Sequence, residues 1–409
     1  MIKISDAKVG IISGLATLKG KDMSKLEALI QQYCPDGVEY ARLGDFATQW
    51  YRGAGIKKDE VGQEGIPCIR YGEIHTAYKI WFDKCVSHTD EAKQPSKKYA
   101  DYGDILFAIT SEDIPFIGNS VAYVGKERIM VGGDIVVMKH TQNPKYISYA
   151  LSTIDAVSQK GKGKVKSKVV HTNVPSLKEI IIPLPPLPVQ EEIVRILDNF
   201  TELQTELQTE LQKRKQQYNY YLDNLLSFNR GGQIEVRWMK MSEVCNSICS
   251  GKNRIKNPNG KYPVFGSTGI ISYCDNYAFD KTQILVARVG ANAGYVQIAD
   301  NEYDVSDNTL IIDVKHDFNL KYVYYILGYT NLNKYAKGGG QPLITAGELK
   351  RIVVPIPTSS EQNRIVSILD RFDSLTNDLT AGLPAEIEKR RQQYEYYRDK
   401  LLTFKRKAA

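Results

Sequence analysis

The clearest periodicity in the chain begins at Ile193. From there apolar residues fall at Ile193, Leu197, Phe200, Leu207, Leu211, Tyr218, Tyr221 and Leu225. Such spacing marks the seam of a helix that packs along another helix, interrupted here by the polar Gln204 and Arg214. Carried on to Phe228, it describes a rod of roughly 50 Å at ~1.5 Å per residue. Its middle, residues 201–212, is three copies of Thr-Glu-Leu-Gln. Four residues are close to one turn, so each copy lengthens the rod by ~6 Å with little rotation. A second seam runs through Ile365, Leu369, Phe372, Leu375 and Leu379 and resumes at Tyr394, Tyr397 and Leu401. Gly382 and Pro384 lie between its two parts and are expected to break the helix before it restarts near Glu386.

Ahead of each seam the texture changes to short apolar runs punctuated by Gly, Pro and Asp. Residues 104–110, 120–124 and 134–138 predict strands, and Pro144 opens a helix over 144–152. The same order returns later. Residues 236–244 answer 38–46, 283–287 answer the strand at Ile105, 308–316 answer 133–140, and 320–327 answer the helix near Tyr146. Each block leaves through prolines, Pro183 to Pro188 in one and Pro355 to Pro357 in the other, which predict a stiff exit that continues neither a strand nor a helix. The tails also match: Gln216-Gln-Tyr-Asn-Tyr-Tyr221 against Gln392-Gln-Tyr-Glu-Tyr-Tyr397. A period this long is a duplicated domain followed by a duplicated helix, not a solenoid. The predicted fold class is α+β: two mixed, β-rich domains in pseudo-twofold arrangement, joined by two long helices pairing as an antiparallel coiled coil. The expected divisions are a leader at 1–22, a first domain at 23–188, a helix at 189–229, a second domain at 230–358 and a broken helix at 359–409.

Composition narrows the functions open to such a chain. With 42% hydrophobic and 10% aromatic residues it can bury proper cores, which excludes global disorder. A net charge of +7 is compatible with nucleic acid without requiring it. Six cysteines without a paired framework fit thiols in a reducing cytoplasm, and no zinc spacing completes itself around Cys245 and Cys249. No run reaches the ~20 apolar residues of a membrane helix, and the leader lacks a signal-peptide cleavage pattern.

No phosphate loop, zinc-protease motif or methyltransferase motif is present, and the five histidines are isolated. The expectation is a chain without catalytic or metal-binding residues, one that recognises or assembles. Lysine stands at every second position in Lys160, Lys162, Lys164, Lys166 and Lys168. If extended, this row presents one charged face to a phosphate backbone. The matching place in the second block, from Lys337 through three glycines to Gln341, is also glycine-rich and basic. Base edges are read by Arg, Lys, Asn and Gln, which adds Arg52, Arg70, Lys252, Arg254, Lys256 and Arg288 as candidates.

These residues in combination resemble the specificity subunit of type I restriction–modification systems. The resemblance rests on the two blocks, the helix openings at Gln190–Leu197 and Gln362–Leu369, the tyrosine-rich tails and the sequences around 262–273 and 284–290. The Thr-Glu-Leu-Gln repeat is similar to the spacer repeat of the branch called type IC. The resemblance implies a non-catalytic, cytoplasmic subunit in which each domain reads one half of a bipartite site in double-stranded DNA, while the helix pair sets the spacer. Ile193, Leu197, Phe200, Leu207, Leu211, Tyr218, Tyr221, Leu225, Ile365, Leu369, Phe372, Tyr394, Tyr397 and Leu401 would then serve helix pairing or docking. Two methyltransferase subunits carrying S-adenosylmethionine would dock, and two restriction subunits using ATP and Mg would join them. The chain itself would hold no cofactor. A stand-alone sequence-specific DNA-binding protein is the alternative, and a cryptic nuclease a more distant one.

Overall fold

The computed structural model describes residues 24–162, 170–228, 235–254, 257–378 and 380–408. The expected leader lies outside them, as does Leu379. The chain divides into two compact units, one from Met1–Glu206 with Glu388–Ala409 and one from Leu207–Ile387. Each therefore combines one β-rich block with segments of both seam helices.

In the first unit a central sheet has the order Gln49–Arg52, Ile135–Lys139, Ile105–Ala108, Ser120–Tyr123, Trp81–Phe82. Its middle strand is apolar throughout because both faces are covered: Ile105, Leu106, Phe107 and Ala108 are all fully buried. The second unit repeats the first four positions with Cys245–Ser250, Thr309–Val314, Gln283–Ala287 and Val296–Ala299. A smaller sheet is shared in the same way, Ile66–Ile69 lying parallel to Ile129–Val131 as Tyr262–Gly266 lies parallel to Asp304–Val305. The first unit adds edge strands at Val61–Gly62, Trp81–Phe82 and Tyr99–Ala100, which accounts for its longer block.

The domain ends are tied together. Tyr40–Arg42 pairs antiparallel with Ile181–Pro183, and Val236–Lys240 pairs antiparallel with Val353–Pro357. Pro183, Pro355 and Pro357 thus lie inside two-stranded ribbons, contrary to the expected interruption, while Pro185 and Pro186 separate the first ribbon from its helix. An edge strand tolerates proline where its missing N–H would face away from the partner. Their carbonyls are also used: Tyr146 Oη donates to Pro183 O at 3.0 Å and Tyr322 Oη to Pro355 O at 2.7 Å.

A buried clamp then fixes each seam helix to its own domain. Gln190 Oε1 accepts from Asn143 N at 3.0 Å while its Nε2 donates to Pro185 O at 2.7 Å. Gln362 does the same with Asn319 N at 2.9 Å and Pro357 O at 3.0 Å. Two turns along, Asp198 receives Lys145 Nζ at 2.7 Å, Tyr149 Oη at 2.8 Å and Trp81 Nε1 at 3.1 Å. Asp370 receives Lys321 Nζ and Tyr325 Oη, both at 2.7 Å. Burial, and after it the neighbouring carboxylate charge, holds these tyrosines protonated to high pH.

The first seam helix is continuous over Leu187–Leu226 and carries Pro188 in its first turn. The second consists of two helices, Ser359–Thr376 and Leu383–Leu401. Asp378 Oδ1 caps the break, accepting from Thr380 N at 2.7 Å and Ala381 N at 3.1 Å. A Cβ on Gly382 would lie 2.7 Å from the carbonyl oxygens of Ser374 and Asp378, so the chain turns here only because that residue has no side chain.

Within each unit the opening of one seam meets the tail of the other. Phe200 stacks on Tyr397 at 5.5 Å in the first unit, and Phe372 stacks on Tyr221 at 5.0 Å in the second. Ile193, Leu197, Tyr394 and Leu401 join one core, with Leu226, Ile365 and Leu369 in the other. Tyr218, Tyr221 and Leu225 pack against that second core, and along the same helix Leu207 is buried and Leu211 half-buried. Tyr220 and Tyr396, the middle tyrosines of the tails, point outward. Leu369 is fully buried, and Leu369→Ala should lower the stability of its unit by about 2–5 kcal/mol in urea unfolding. A loss below about 0.5 kcal/mol, the range of ordinary surface changes, would show that this seam is not packed.

Candidate nucleic-acid interface

Three loops converge at the same end of the central sheet in each unit. In the first, the chain leaves Gln49–Arg52 through Gly53, whose N–H donates to Ile135 O at 2.8 Å. Ala54 N then donates to Val131 O at 2.9 Å and Gly132 N to Ile69 O at 2.8 Å. A Cβ on Gly53 would come within 2.2 Å of Gly132 O, so glycine is required for the loops to touch. The second unit repeats these bonds, with Gly251 N on Thr309 O at 3.0 Å, Asn253 N on Val305 O at 2.9 Å and Ser306 N on Phe265 O at 2.9 Å. A Cβ on Gly251 would meet Val305 O at 2.3 Å.

The loops of the first unit enclose an open cavity of about 690 Å³ lined by Arg52, Lys58, Arg70, Tyr71 and Asp134 among several glycines. Arg52 forms an ion pair with Asp134 at 2.7 Å and donates through Nε to Gly133 O. Arg70 sits at the start of the helix Tyr71–Thr76, its N–H donating to Glu73 Oε2 at 3.0 Å. Its Nε is buried with no acceptor among the described residues. In the second unit Arg254 pairs with Asp307 at 3.3 Å, and Arg288 reaches Ser250 Oγ at 3.4 Å and Asp307 O at 3.5 Å. The Nε of Arg288 is likewise buried without an acceptor. Lys252 is exposed on the same loop. Both units thus carry a two-arginine site on one framework, but the second arginine changes strand, Arg70 following Ile66–Ile69 and Arg288 following Gln283–Ala287. Exposed ion pairs of this kind contribute little stability and open readily.

The structure therefore brings Arg52 with Arg70, and Lys252 with Arg254 and Arg288. Lys337 pairs with Leu343 across a short antiparallel bridge and its Nζ reaches Glu348 at 2.9 Å. That contact, with the backbone N–H of Thr345, holds the Glu348 carboxyl below its ordinary range. Gln341 is exposed in the same turn, which leads to Ile344, whose N–H donates to Arg288 O at 2.9 Å. Lys162 is exposed just past the helix Ile154–Gly161. Lys164, Lys166, Lys168 and Lys256 lie outside the described residues.

Lys160 departs from the expected charged row. It ends a helix instead of lying in an extended segment, and its side chain turns inward. Its Nζ donates to Leu151 O at 2.9 Å, capping the helix Pro144–Leu151 as a cation caps a C-terminus. Burial lowers its pKa to about 7. Lys58, Tyr71, Asp134, Ser250 and Asp307 join the sites without having been marked by the sequence. The one signal available was the glycine that follows the same strand in both blocks, Gly53 and Gly251. Among the described residues no group of three His, Cys, Asp or Glu is placed to hold a metal ion, and no helix is long and apolar enough to cross a membrane.

Comparison with known proteins places this architecture. The profile described as the type I restriction modification DNA specificity domain matches residues 35–215 and 234–389. The chain is 36% identical over 293 residues to the specificity subunit of the type I restriction enzyme EcoR124I/EcoR124II of Escherichia coli, covering 64% of this chain and 70% of that one. It is 32% identical over 291 residues to the putative type I restriction enzyme specificity subunit S.HindORF215P of Haemophilus influenzae, covering 66% and 74%. The S subunit of a type I restriction–modification system from M. genitalium shares the fold with a TM-score of 0.59 at 15% identity, over 90% of this chain and 96% of that one. A chain from a structure of complex assembly and conformational transition in the type I R-M system gives 0.52 at 18% identity, over 90% and 98%.

The buried ammonium of Lys160 makes stability depend on pH. In the unfolded chain it titrates near ~10.4, so between about pH 7 and that value the folded state binds fewer protons and stability rises with pH. Below about pH 7 the cost of burying the charge is present in full. Melting temperature should therefore climb from about pH 7 to about pH 9.5 in the wild type relative to Lys160→Met. Parallel profiles would show that this ammonium is solvated.

Proposed function

The chain belongs to the type I restriction–modification DNA specificity family, and from that premise we propose that each unit reads one half of a split site in double-stranded DNA. One observation carries this reading. The clamps, ribbons and stacked aromatics match between the units, whereas the loop sites differ in which residues supply their arginines. A framework held constant beneath variable loops is how one scaffold acquires two specificities. Sequence is read at base edges, and phosphate contacts fix the register. The exposed Lys162, Lys252 and Lys337 suit the second task, since they add salt-dependent affinity without discrimination.

The seam helices set the length of the unread spacer, and the single helix Leu187–Leu226, which supplies residues to both units, supports that assignment. Its Thr-Glu-Leu-Gln repeats are its adjustable part. The matched helix surfaces take two methyltransferase subunits. These carry S-adenosylmethionine and methylate adenine on a flipped base, while restriction subunits use ATP and Mg for cleavage. The chain itself supplies recognition and no catalytic group.

The test is modified-base sequencing of a methylation-free host that expresses this chain with a cognate methyltransferase subunit. A split adenine-methylated motif should appear only when both are present. Deleting one Thr-Glu-Leu-Gln copy should shorten the spacer and leave both half-sites unchanged. Altered half-sites with an unchanged spacer would refute the ruler. No motif at all, with tight specific DNA binding by the chain alone, would favour the stand-alone DNA-binding protein.

A further inference from the structure

The most informative feature of the two loop sites is the acid that accompanies an arginine in each. Arg52 is held by Asp134, and Arg254 by Asp307. All four side chains are substantially exposed, the two carboxylates at 42% and 43%, so both pairs are within reach of a ligand. The backbones that carry the acids are also held in place. Asp134 O accepts from Ile109 N at 3.0 Å, and Asp307 O lies 3.5 Å from Arg288 Nη1. Asp134 immediately precedes the strand Ile135–Lys139, and Asp307 stands two residues before Thr309–Val314. The pair therefore recurs on the same two loops at different offsets.

A phosphate is a poor partner for such a pair. An arginine that turned to the backbone would bring its aspartate beside a second negative charge, and like charges in contact oppose binding. A base pair that offers acceptors to the guanidinium and a donor to the carboxylate keeps both groups satisfied. In the major groove G·C presents adjacent O6 and N7 acceptors on guanine and the N4 amino donor on cytosine. A·T lacks two adjacent acceptors, so the bidentate arginine contact is lost there.

We propose that Arg52 with Asp134, and Arg254 with Asp307, are base-pair readers that each open on one G·C pair, the guanidinium taking guanine O6 and N7 and the carboxylate accepting from cytosine N4. This rests on the reading of each unit as a DNA half-site reader and names the letter it selects. The ion pair in the free chain keeps the arginine from settling on the wrong base or on the backbone. Arg70 and Arg288, whose Nε groups have no acceptor among the described residues, remain available to neighbouring positions.

The experiment is the same methylation assay with the full chain and its methyltransferase subunit, run for the wild type, Arg52→Gln, Asp134→Asn, Arg254→Gln and Asp307→Asn. Each wild-type half-site should contain a G·C pair. At one such position in one half, the first two variants should lower the preference about ten- to hundredfold, and the last two should do so in the other half. Oligonucleotides with 7-deazaguanine at each guanine in turn supply a variant-free check, since the wild-type complex should lose about tenfold in affinity at one position per half. A wild-type split motif whose letters survive all four substitutions would overturn the inference alone. So would a uniform fall in methylation with unchanged letters and a shallower salt dependence, the signature of a phosphate contact. A wild type that directs no split motif would overturn the underlying reading as well.

Discussion

The placement of each seam helix on its domain depends on a glutamine amide. Gln190 and Gln362 are almost completely buried at 0% and 2% exposure, and each satisfies a backbone N–H on the domain and a backbone carbonyl at the exit. A buried amide left half-bonded is costly, so the geometry that satisfies both ends is strongly preferred. That geometry places the helix opening against the helix headed by Asn143 or Asn319. Two turns later an aspartate locks the same face through Lys145 and Tyr149, or Lys321 and Tyr325. Hydrophobic burial supplies most of the stabilisation, but it is non-directional. The polar clamp fixes the angle and the register of the helix on its domain.

The division of labour between the two kinds of surface follows. Matched residues hold the helix to the sheet, and the unmatched ones are gathered at the loop end of the sheet. The proposed reading of two half-sites fits this arrangement, because it calls for rigid attachment on one side and freedom to vary on the other. The exposed Tyr220 and Tyr396 belong to the matched part, backed edge-on by Tyr221 and Tyr397. Their outward direction is set by helical phase, since the residues two before and one after each face inward.

The framework was legible in the sequence because it is periodic and written twice. Heptad spacing disclosed the seam, and the paired runs disclosed the strands and the helix near Tyr146. Gly382 disclosed the break. The loop sites were less legible because loops have no period: Arg52 and Asp134 are 82 positions apart and meet only through strand pairing. Arg52, Arg70, Arg254 and Arg288 could be singled out by chemistry, but not their grouping or their acids. Lys160 was misleading because alternation signals a shared face only in an extended chain. Here helix geometry and a free carbonyl at Leu151 claimed the side chain. Pro183, Pro355 and Pro357 misled in the opposite direction, since a two-stranded ribbon has edges that a proline can occupy.

The ribbons that close the domains have a consequence for how such a chain changes over time. Tyr40 lies opposite Pro183 and Val236 opposite Pro357, so each domain begins and ends at one spot, beside its clamp. The entropy of closing a loop grows only with the logarithm of its length, each doubling costing about 0.6 kcal/mol. Inserted strands and lengthened loops between the ribbon's two sides therefore add almost nothing to the cost of joining its ends. The first unit, with its extra edge strands, and the leaner second unit close on the same ribbon. A lineage carrying this architecture can rewrite what lies between the two sides of the ribbon wholesale, and the helix that follows keeps its footing.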